Sequence, residues 1–455
     1  MALRPSSIPH PTVPRLLAIV VTGPSFKSVA ASAPVAELVE IAAACRLDYA
    51  ASLVAESESD CPPSVGGECA LGTDVLEDRQ EDFECLAAAV PHLVAMLFAL
   101  EGDLDAPDIP TPRSYAEAIT GPYSSRWQTA IHAKMASWKS TSTDVDGVPP
   151  SGANIVDGMW IFRVKWLPGS PPVFKARYVA RCFSQRQGVD FFHTFSPTPK
   201  MTTLRMLLRI ATQRDYELHS LEFSTSFLQG SLHEKIWLHR PPGFTGSFPA
   251  GTQWSLWRSV YGLRQAPRKW HDTLRTMLAP LGFSPSVADP SLFLRTDTSL
   301  PPFYVLVYVD DLVLATADTE ALALVKSELQ KRDTCTDMGE LRSYLGLQIT
   351  RDRARRTITL THPYMVHQVL QCFGFQYSSP QSTPLPTGHS LSAPPSDESV
   401  EPSGPYPELV CCLMYLMTCT RPDLAYPLSI LAHYVAPGRH QPEHWDAAKR
   451  VLRYL

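Results

Sequence analysis

The 10 cysteines and 14 histidines include no Cys-x-x-Cys pair and no Cys/His set with zinc-finger spacing, which argues against a zinc module or a dithiol redox motif. So few thiols in 455 residues read as free cysteines in a reducing compartment. Long apolar runs are also missing. Residues 16–21 are too few for the core of a secretion signal, and residues 86–100, which include Pro91 and His92, are too few to span a bilayer. The chain therefore reads as soluble and intracellular, with no membrane partner. Charge of one sign is scarce as well, the net value being -5.

That small net charge hides an asymmetry. Residues 1–110 hold 5 basic and 17 acidic side chains, which leaves 35 basic against 28 acidic for the remainder. An acidic front and a mildly basic body suit a body that meets a polyanion. The length allows two to four domains, and 44% hydrophobic content is enough for real cores. Low hydrophobicity and net negative charge make residues 1–110 a flexible, largely disordered segment in this reading, with helical patterns only around 35–47 and 83–100.

From Ser114 the texture changes. Trp127, Ile131, Met135 and Trp138 fall on one face of a helix. Residues 159–166 and 173–183 read as two strands, and on the second Lys175, Arg177 and Arg181 share a face by period two. Cations lined up this way suit an anion such as a triphosphate, or simply a solvated face. Thr202 or Thr203 can cap the next helix. A strand through Leu221, Glu222 and Phe223 then runs toward Phe227 and Gly230. Residues 259–270 form a loop feeding a helix with Pro267 at its start; that helix start, with Arg264 and Arg268, is a natural anion site. Residues 344–350 and 357–361 make a hairpin, and residues 380–407, with eight prolines, read as a linker.

The chain is organised around Tyr304 to Ala315, where two apolar, β-branched runs flank Asp310 and Asp311. This predicts two buried strands with adjacent acids at a tight turn. Adjacent, desolvated carboxylates repel, and a divalent cation with oxygen ligands would relieve them. A plain polar turn explains the same pair of residues on its own.

Taken in order, the motifs resemble the reverse transcriptase of copia-type long-terminal-repeat retrotransposons. They run from Lys175-Ala-Arg-Tyr-Val-Ala through Gln185 to Asp190, Thr194-Phe-Ser-Pro, Phe227-Leu-Gln-Gly and Tyr261-Gly-Leu-Arg-Gln-Ala-Pro-Arg. Tyr308-Val-Asp-Asp, Tyr344-Leu-Gly-Leu and Thr420-Arg-Pro-Asp complete the series. The resemblance implies an α+β right-hand polymerase with fingers, a palm built on an antiparallel sheet, and a thumb. It implies RNA-directed DNA polymerase activity on an RNA or DNA template with primer and deoxynucleoside triphosphates. Two Mg²⁺ ions, or Mn²⁺ in their place, would be held by Asp310, Asp311 and an acid on the neighbouring strand. Lys175 and Arg177 would grip the triphosphate, Phe227 would crowd a ribose 2′-hydroxyl, and Gln265, with Arg264 and Arg268 nearby, would position nucleotide and template. The expected layout is a polyprotein connector over 1–110, fingers, palm and thumb over 111–378, a linker over 379–407 and a helical segment over 408–455 that stops before ribonuclease H. The implied setting is a cytoplasmic virus-like particle or the nucleus.

Three positions depart from the family pattern. Glu222 stands where an Asp is usual, and its extra methylene adds roughly 1.5 Å of reach. Cys182 stands where Gly is usual, which implies backbone strain if that turn needs a positive φ. Trp166 replaces a commoner basic or polar residue. The expectation is therefore a decayed, impaired polymerase. A non-catalytic nucleic-acid-binding module of the same fold is the alternative, and a metal-dependent nuclease is a third, although no further acid or His stands out to serve it.

Overall fold

The computed structural model describes residues 109–455 except 166–170, 245–248, 250, 332–334, 387, 389–390, 392–403 and 437–438, and also the backbone of strand β1, Ile19–Thr22. Otherwise the expectations for residues 1–108, and Trp166, lie outside the described residues. The chain divides into two compact units, one spanning Glu101–Leu341 and one holding Arg342–Leu455 together with β1.

The first unit begins with helix α1 (Tyr115–Thr120), capped by the Ser114 hydroxyl accepting from the Glu117 amide. Helix α2 (Ser124–Ser140) buries Trp127, Ile131, Met135 and Trp138, the face its spacing predicts. That face packs with β3 (Ile155–Val156), β4 (Gly158–Lys165) and β5 (Val173–Ala180) in one apolar cluster. β4 and β5 form a hairpin, and β5 alternates as expected: Ala176, Tyr178 and Ala180 point inward while Lys175 is exposed and Arg177 half-buried.

Two expectations fail at the end of β5. The strand stops at Ala180, so Arg181 does not share the Lys175–Arg177 face; its guanidinium lies over the Phe183 ring instead. Cys182 opens a 3-10 turn and is not among the positive-φ residues, so the expected strain is absent there. The left-handed backbone appears at Gly262 instead, at φ 90°, where a Cβ would stand 2.0 Å from the Ala180 carbonyl oxygen. Only glycine lets the chain pass that close.

Helix α3 (Met201–Arg214) starts one residue before the expected Thr caps and has no side-chain cap. Thr203 is buried and donates to Asp289 across 2.6 Å. Next come β6 (Glu217–Phe223), a 3-10 turn at Ser226–Gln229, β7 (Ser231–Leu238) and β8 (Gln253–Arg258). β2 (Asp144–Gly147), β8, β7 and β3 make a four-stranded sheet in that order. Helix α4 (Ala266–Leu278) buries Trp270, Leu274, Met277 and Leu278.

The sheet that matters most has six strands, all antiparallel: β13 (Cys335–Glu340), β6, β12 (Asp311–Thr316), β11 (Phe303–Tyr308), β10 (Leu292–Arg295) and β9 (Phe283–Pro285), in that order. Its apolar face packs on α4 and on α5 (Thr319–Gln330), whose cap is the Asp318 carboxylate. The central strands β11 and β12 are nearly continuous in buried residues. That fits strands covered on both faces.

In the second unit β14 (Ser343–Tyr344), β15 (Leu347–Asp352) and β16 (Thr357–Thr361) form a meander closed by β1. Helices α6 (Pro363–Cys372), α7 (Tyr406–Cys419), α8 (Ala425–Leu431) and α9 (Pro442–Tyr454) share a core of Leu409, Leu413, Leu416, Leu428 and Val451. The Pro-rich stretch is anchored at its start, where the Gln381 amide donates to Arg453 and Leu385 is buried in the helical core. No helix among the described residues is long and apolar enough to cross a membrane.

Candidate active site

The register of two strands decides the site. In the antiparallel pairing of β12 with β6, Asp311 lies directly opposite Glu222. Opposed residues point to the same face with Cβ atoms about 4.5–5.5 Å apart, so two carboxylates share one patch of sheet. Asp310 occupies the two-residue turn between β11 and β12, and its carbonyl accepts the Phe223 amide at 2.8 Å, which ties the hairpin tip to the end of β6. The backbone therefore brings Asp310 and Asp311 beside the end of the strand that carries Glu222.

The turn is held under strain. Val309 has φ 49°, an uncommon value for a β-branched residue. Its carbonyl accepts from the Trp270 indole N–H, and Trp270 is buried edge-on against Phe223. The hairpin tip is thus fastened to both α4 and β6. Strain kept this way, beside a cluster of acids, is common at functional sites.

Burial pushes the Asp310 carboxyl above the usual range, and Glu222 adds to the rise; the Ser226 hydroxyl, Arg177 and Lys134 oppose it. The Ser226 hydroxyl donates to Asp310 Oδ1. Tyr261 lies alongside, hydrogen-bonded to Ser226 and pushed up to about 12 chiefly by burial and by Asp310. The Arg177 guanidinium sits 5.6 Å and the Lys134 ammonium 5.1 Å from the Tyr261 ring centre, and the Phe227 ring meets Tyr261 edge-on at 4.8 Å. So Arg177 and Phe227 join the acids at the same spot. Lys175 is exposed further along β5, opposite Arg163.

Gln265 lies at the start of α4, between the loop of 262–267 and the turn of 185–190. It is fully buried; its amide donates to the Asp190 carbonyl at 2.7 Å and its oxygen accepts from Gln185 at 3.1 Å, while Gln185 also takes the Arg264 amide at 2.9 Å. These bonds hold the loop of 262–267 against the 185–190 turn. Arg264 lies over the Phe191 ring, and Arg268 stands half-exposed 3.8 Å from Asp272.

Three partners at the site carried no role in the sequence reading. Ser226 and Tyr261 have no local signal that singles them out. Lys134 does: it falls three residues after Ile131 and four before Trp138, inside an otherwise buried stripe where a charge needs a partner.

Could these residues hold a metal? The chemistry of the donors fits a hard divalent cation: three carboxylate groups, two of them opposed and one desolvated. As they stand, no three His, Cys, Asp or Glu side chains among the described residues are grouped closely enough to enclose an ion. Asp310 would have to release Ser226 to take part.

The comparisons bear on the same segment. The profile of the family described as Reverse transcriptase (RNA-dependent DNA polymerase) matches residues 144–387, which include every predicted site residue. The chain is 32% identical over 351 residues to the retrovirus-related Pol polyprotein from transposon TNT 1-94 of Nicotiana tabacum. It is 34% identical to those from transposons RE2 and RE1 of Arabidopsis thaliana, over 349 residues in each case. These alignments cover 76% of this chain and 26%, 23% and 23% of the respective relatives, so the chain spans about a quarter of their length. With more than half of its residues matched and the acidic hairpin within that match, the chain belongs to the reverse transcriptase (RNA-dependent DNA polymerase) family, in its copia-type retrotransposon branch.

Proposed function

We propose that this chain is a template- and primer-dependent nucleotidyl transferase whose reacting centre is Asp310, Asp311 and Glu222, and that its turnover is impaired. The observation that carries this reading is the direct opposition of Glu222 and Asp311, with Asp310 tied to the end of the same strand. Like charges placed opposite one another destabilise a sheet, so nothing in the fold itself rewards them.

In this reading the six-stranded sheet is the palm, the β4–β5 hairpin with α1 and α2 belongs to the fingers, and a thumb follows before residue 378. Residues 1–110 are a polyprotein connector, 379–407 a linker and 408–455 a further helical segment. Asp310, Asp311 and Glu222 would hold Mg²⁺ or Mn²⁺, which when bound activates the primer hydroxyl and neutralises the departing pyrophosphate. Arg177, and Lys175 at the rim of β5, grip the triphosphate; an Arg fork can do so bidentately. Phe227, braced edge-on by Tyr261, crowds the ribose 2′ position. Gln265 acts through the loop it anchors, with Arg264 and Arg268 at its ends.

The impairment follows from geometry. The extra methylene of Glu222 shifts its carboxylate by roughly 1.5 Å along the side chain. Misplacement by about 1 Å can cost on the order of 10²-fold, near 2.7 kcal/mol of barrier. Primer extension by Glu222→Asp should therefore exceed that of the natural chain by one to two orders of magnitude. Equal rates would remove the argument. A second reading, a nucleic-acid-binding module without turnover, is favoured by the open grouping of the acids; primer–template binding without incorporation in both proteins would select it.

A further inference from the structure

Tyr261 stands between two side chains that the proposed function assigns to one nucleotide. The Arg177 guanidinium lies 5.6 Å from the centre of its ring, and the Lys134 ammonium 5.1 Å. Phe227 meets the same ring edge-on, with centres 4.8 Å apart and planes at 64°. The Tyr261 carbonyl also accepts the Ala180 amide at 2.8 Å, which ties this residue to the end of the strand that carries Arg177. One half-buried side chain thus meets Arg177 and Phe227 at once.

The backbone of Phe227 is fixed without help from Tyr261. Its carbonyl accepts the Ser259 hydroxyl, and the Gly230 amide at 3.3 Å, at the 3-10 turn Ser226–Gln229. Such bonds hold the main chain but leave the ring free to change rotamer. Packing must select the rotamer, and Phe227 is half-buried at the margin of two apolar clusters. Its contact with Tyr261 is the one that couples it to Arg177. An edge-on pair of this kind is worth a factor of roughly two to ten in an equilibrium.

We infer that Tyr261 is a positioning residue for sugar discrimination: its ring holds Phe227 in one rotamer at a set distance from Arg177, so that a nucleotide gripped by its phosphates meets a gate that resists swinging aside. The inference rests on the reading of Arg177 as a triphosphate ligand and of Phe227 as the group that crowds the ribose 2′ position. Without the ring, Phe227 turns away at less cost and a 2′-hydroxyl is admitted. Arg177 loses a platform as well, which weakens deoxy- and ribonucleotides alike. The first effect changes a ratio and the second does not.

The test is binding of dATP and ATP, in Mg²⁺, to the full chain on a primer–template. The next template base is T, and the primer ends in a dideoxynucleotide so that no turnover is needed. Equilibrium dialysis with labelled nucleotide gives both dissociation constants and their ratio. The natural chain should favour dATP, and Phe227→Ala should remove that preference. Tyr261→Leu and Tyr261→Met should weaken both nucleotides and cut the preference severalfold, up to about tenfold. Tyr261→Phe, which keeps the ring, should retain it. A preference unchanged in Tyr261→Leu and Tyr261→Met, with Phe227→Ala lacking it, overturns the role of Tyr261 and leaves the Phe227 reading standing. If the natural chain binds neither nucleotide, or shows no preference, or keeps its preference in Phe227→Ala, the underlying reading falls and this inference with it. If neither Tyr261→Leu nor Tyr261→Met folds, as judged by circular dichroism, the ring serves the scaffold alone and the inference is overturned.

Discussion

Replacing Glu222 by Gln keeps the side chain's size and removes its charge, which makes a sharp test of how the two strands are aligned. Glu222 faces Asp311 across β6 and β12 and also acts on Asp310 at the turn. At roughly 5 Å the repulsion between two unit charges is about 1 kcal/mol in a water-like dielectric, and more where water is excluded. Glu222 is exposed, so the lower figure applies. Relief of that repulsion predicts that Glu222→Gln is about 0.5–1 kcal/mol more stable than the natural chain in chelator. Divalent cation should reverse the order. An ion at a hundred times its dissociation constant adds about 2.7 kcal/mol to the protein that binds it, and Glu222→Gln should gain much less. Urea denaturation in chelator and then in excess Mg²⁺ reads both effects. If Glu222→Gln is the less stable protein in chelator, the two carboxylates are not in opposition and the site as described is wrong.

Two further substitutions probe the scaffold. Gly262→Ala places a methyl group 2.0 Å from the Ala180 oxygen at φ 90° and must break the 2.8 Å bond from the Ala180 amide to the Tyr261 carbonyl. A loss of about 3 kcal/mol or more is expected in urea denaturation, and a loss below about 1 kcal/mol would contradict the tight crossing. In the second unit His362 is buried, its Nδ1 has no partner, and burial lowers it from 6.5 to about 4. The unfolded chain takes up that proton first as pH falls, so stability should drop between pH 6.5 and 4, by up to about 3 kcal/mol. His362→Phe should flatten this part of the pH–stability curve; an unaltered slope would assign the acid loss to other groups.

Local patterns in the sequence carried most of the elements. The helical stripe of α2, the alternation of β5 and the acidic hairpin each depend on residues within one or two turns of each other. Where β5 stops was not legible, because Arg181 and Cys182 continue its apparent pattern while the Arg181 amide turns to the Asp157 carbonyl. The Thr203 cap failed for a similar reason: its hydroxyl has a better partner in Asp289, 86 residues away.

The site divides along the same line. Asp310 and Asp311 announce themselves because adjacent acids between apolar runs are locally odd. Ser226 reaches Asp310 across 84 residues and Gln185 reaches Gln265 across 80, and no periodicity encodes such pairs. Gln265 shows the consequence, since the motif that contains it does not reveal the long-range bonds of its amide to Asp190 and Gln185. Lys134 shows the converse. Its helix position alone says that a charge lies in a buried stripe, so an anion must come to meet it from elsewhere in the fold. A misfit with the local pattern is thus a usable pointer to non-local chemistry, and here it leads to the ring of Tyr261, 5.1 Å from the Lys134 ammonium.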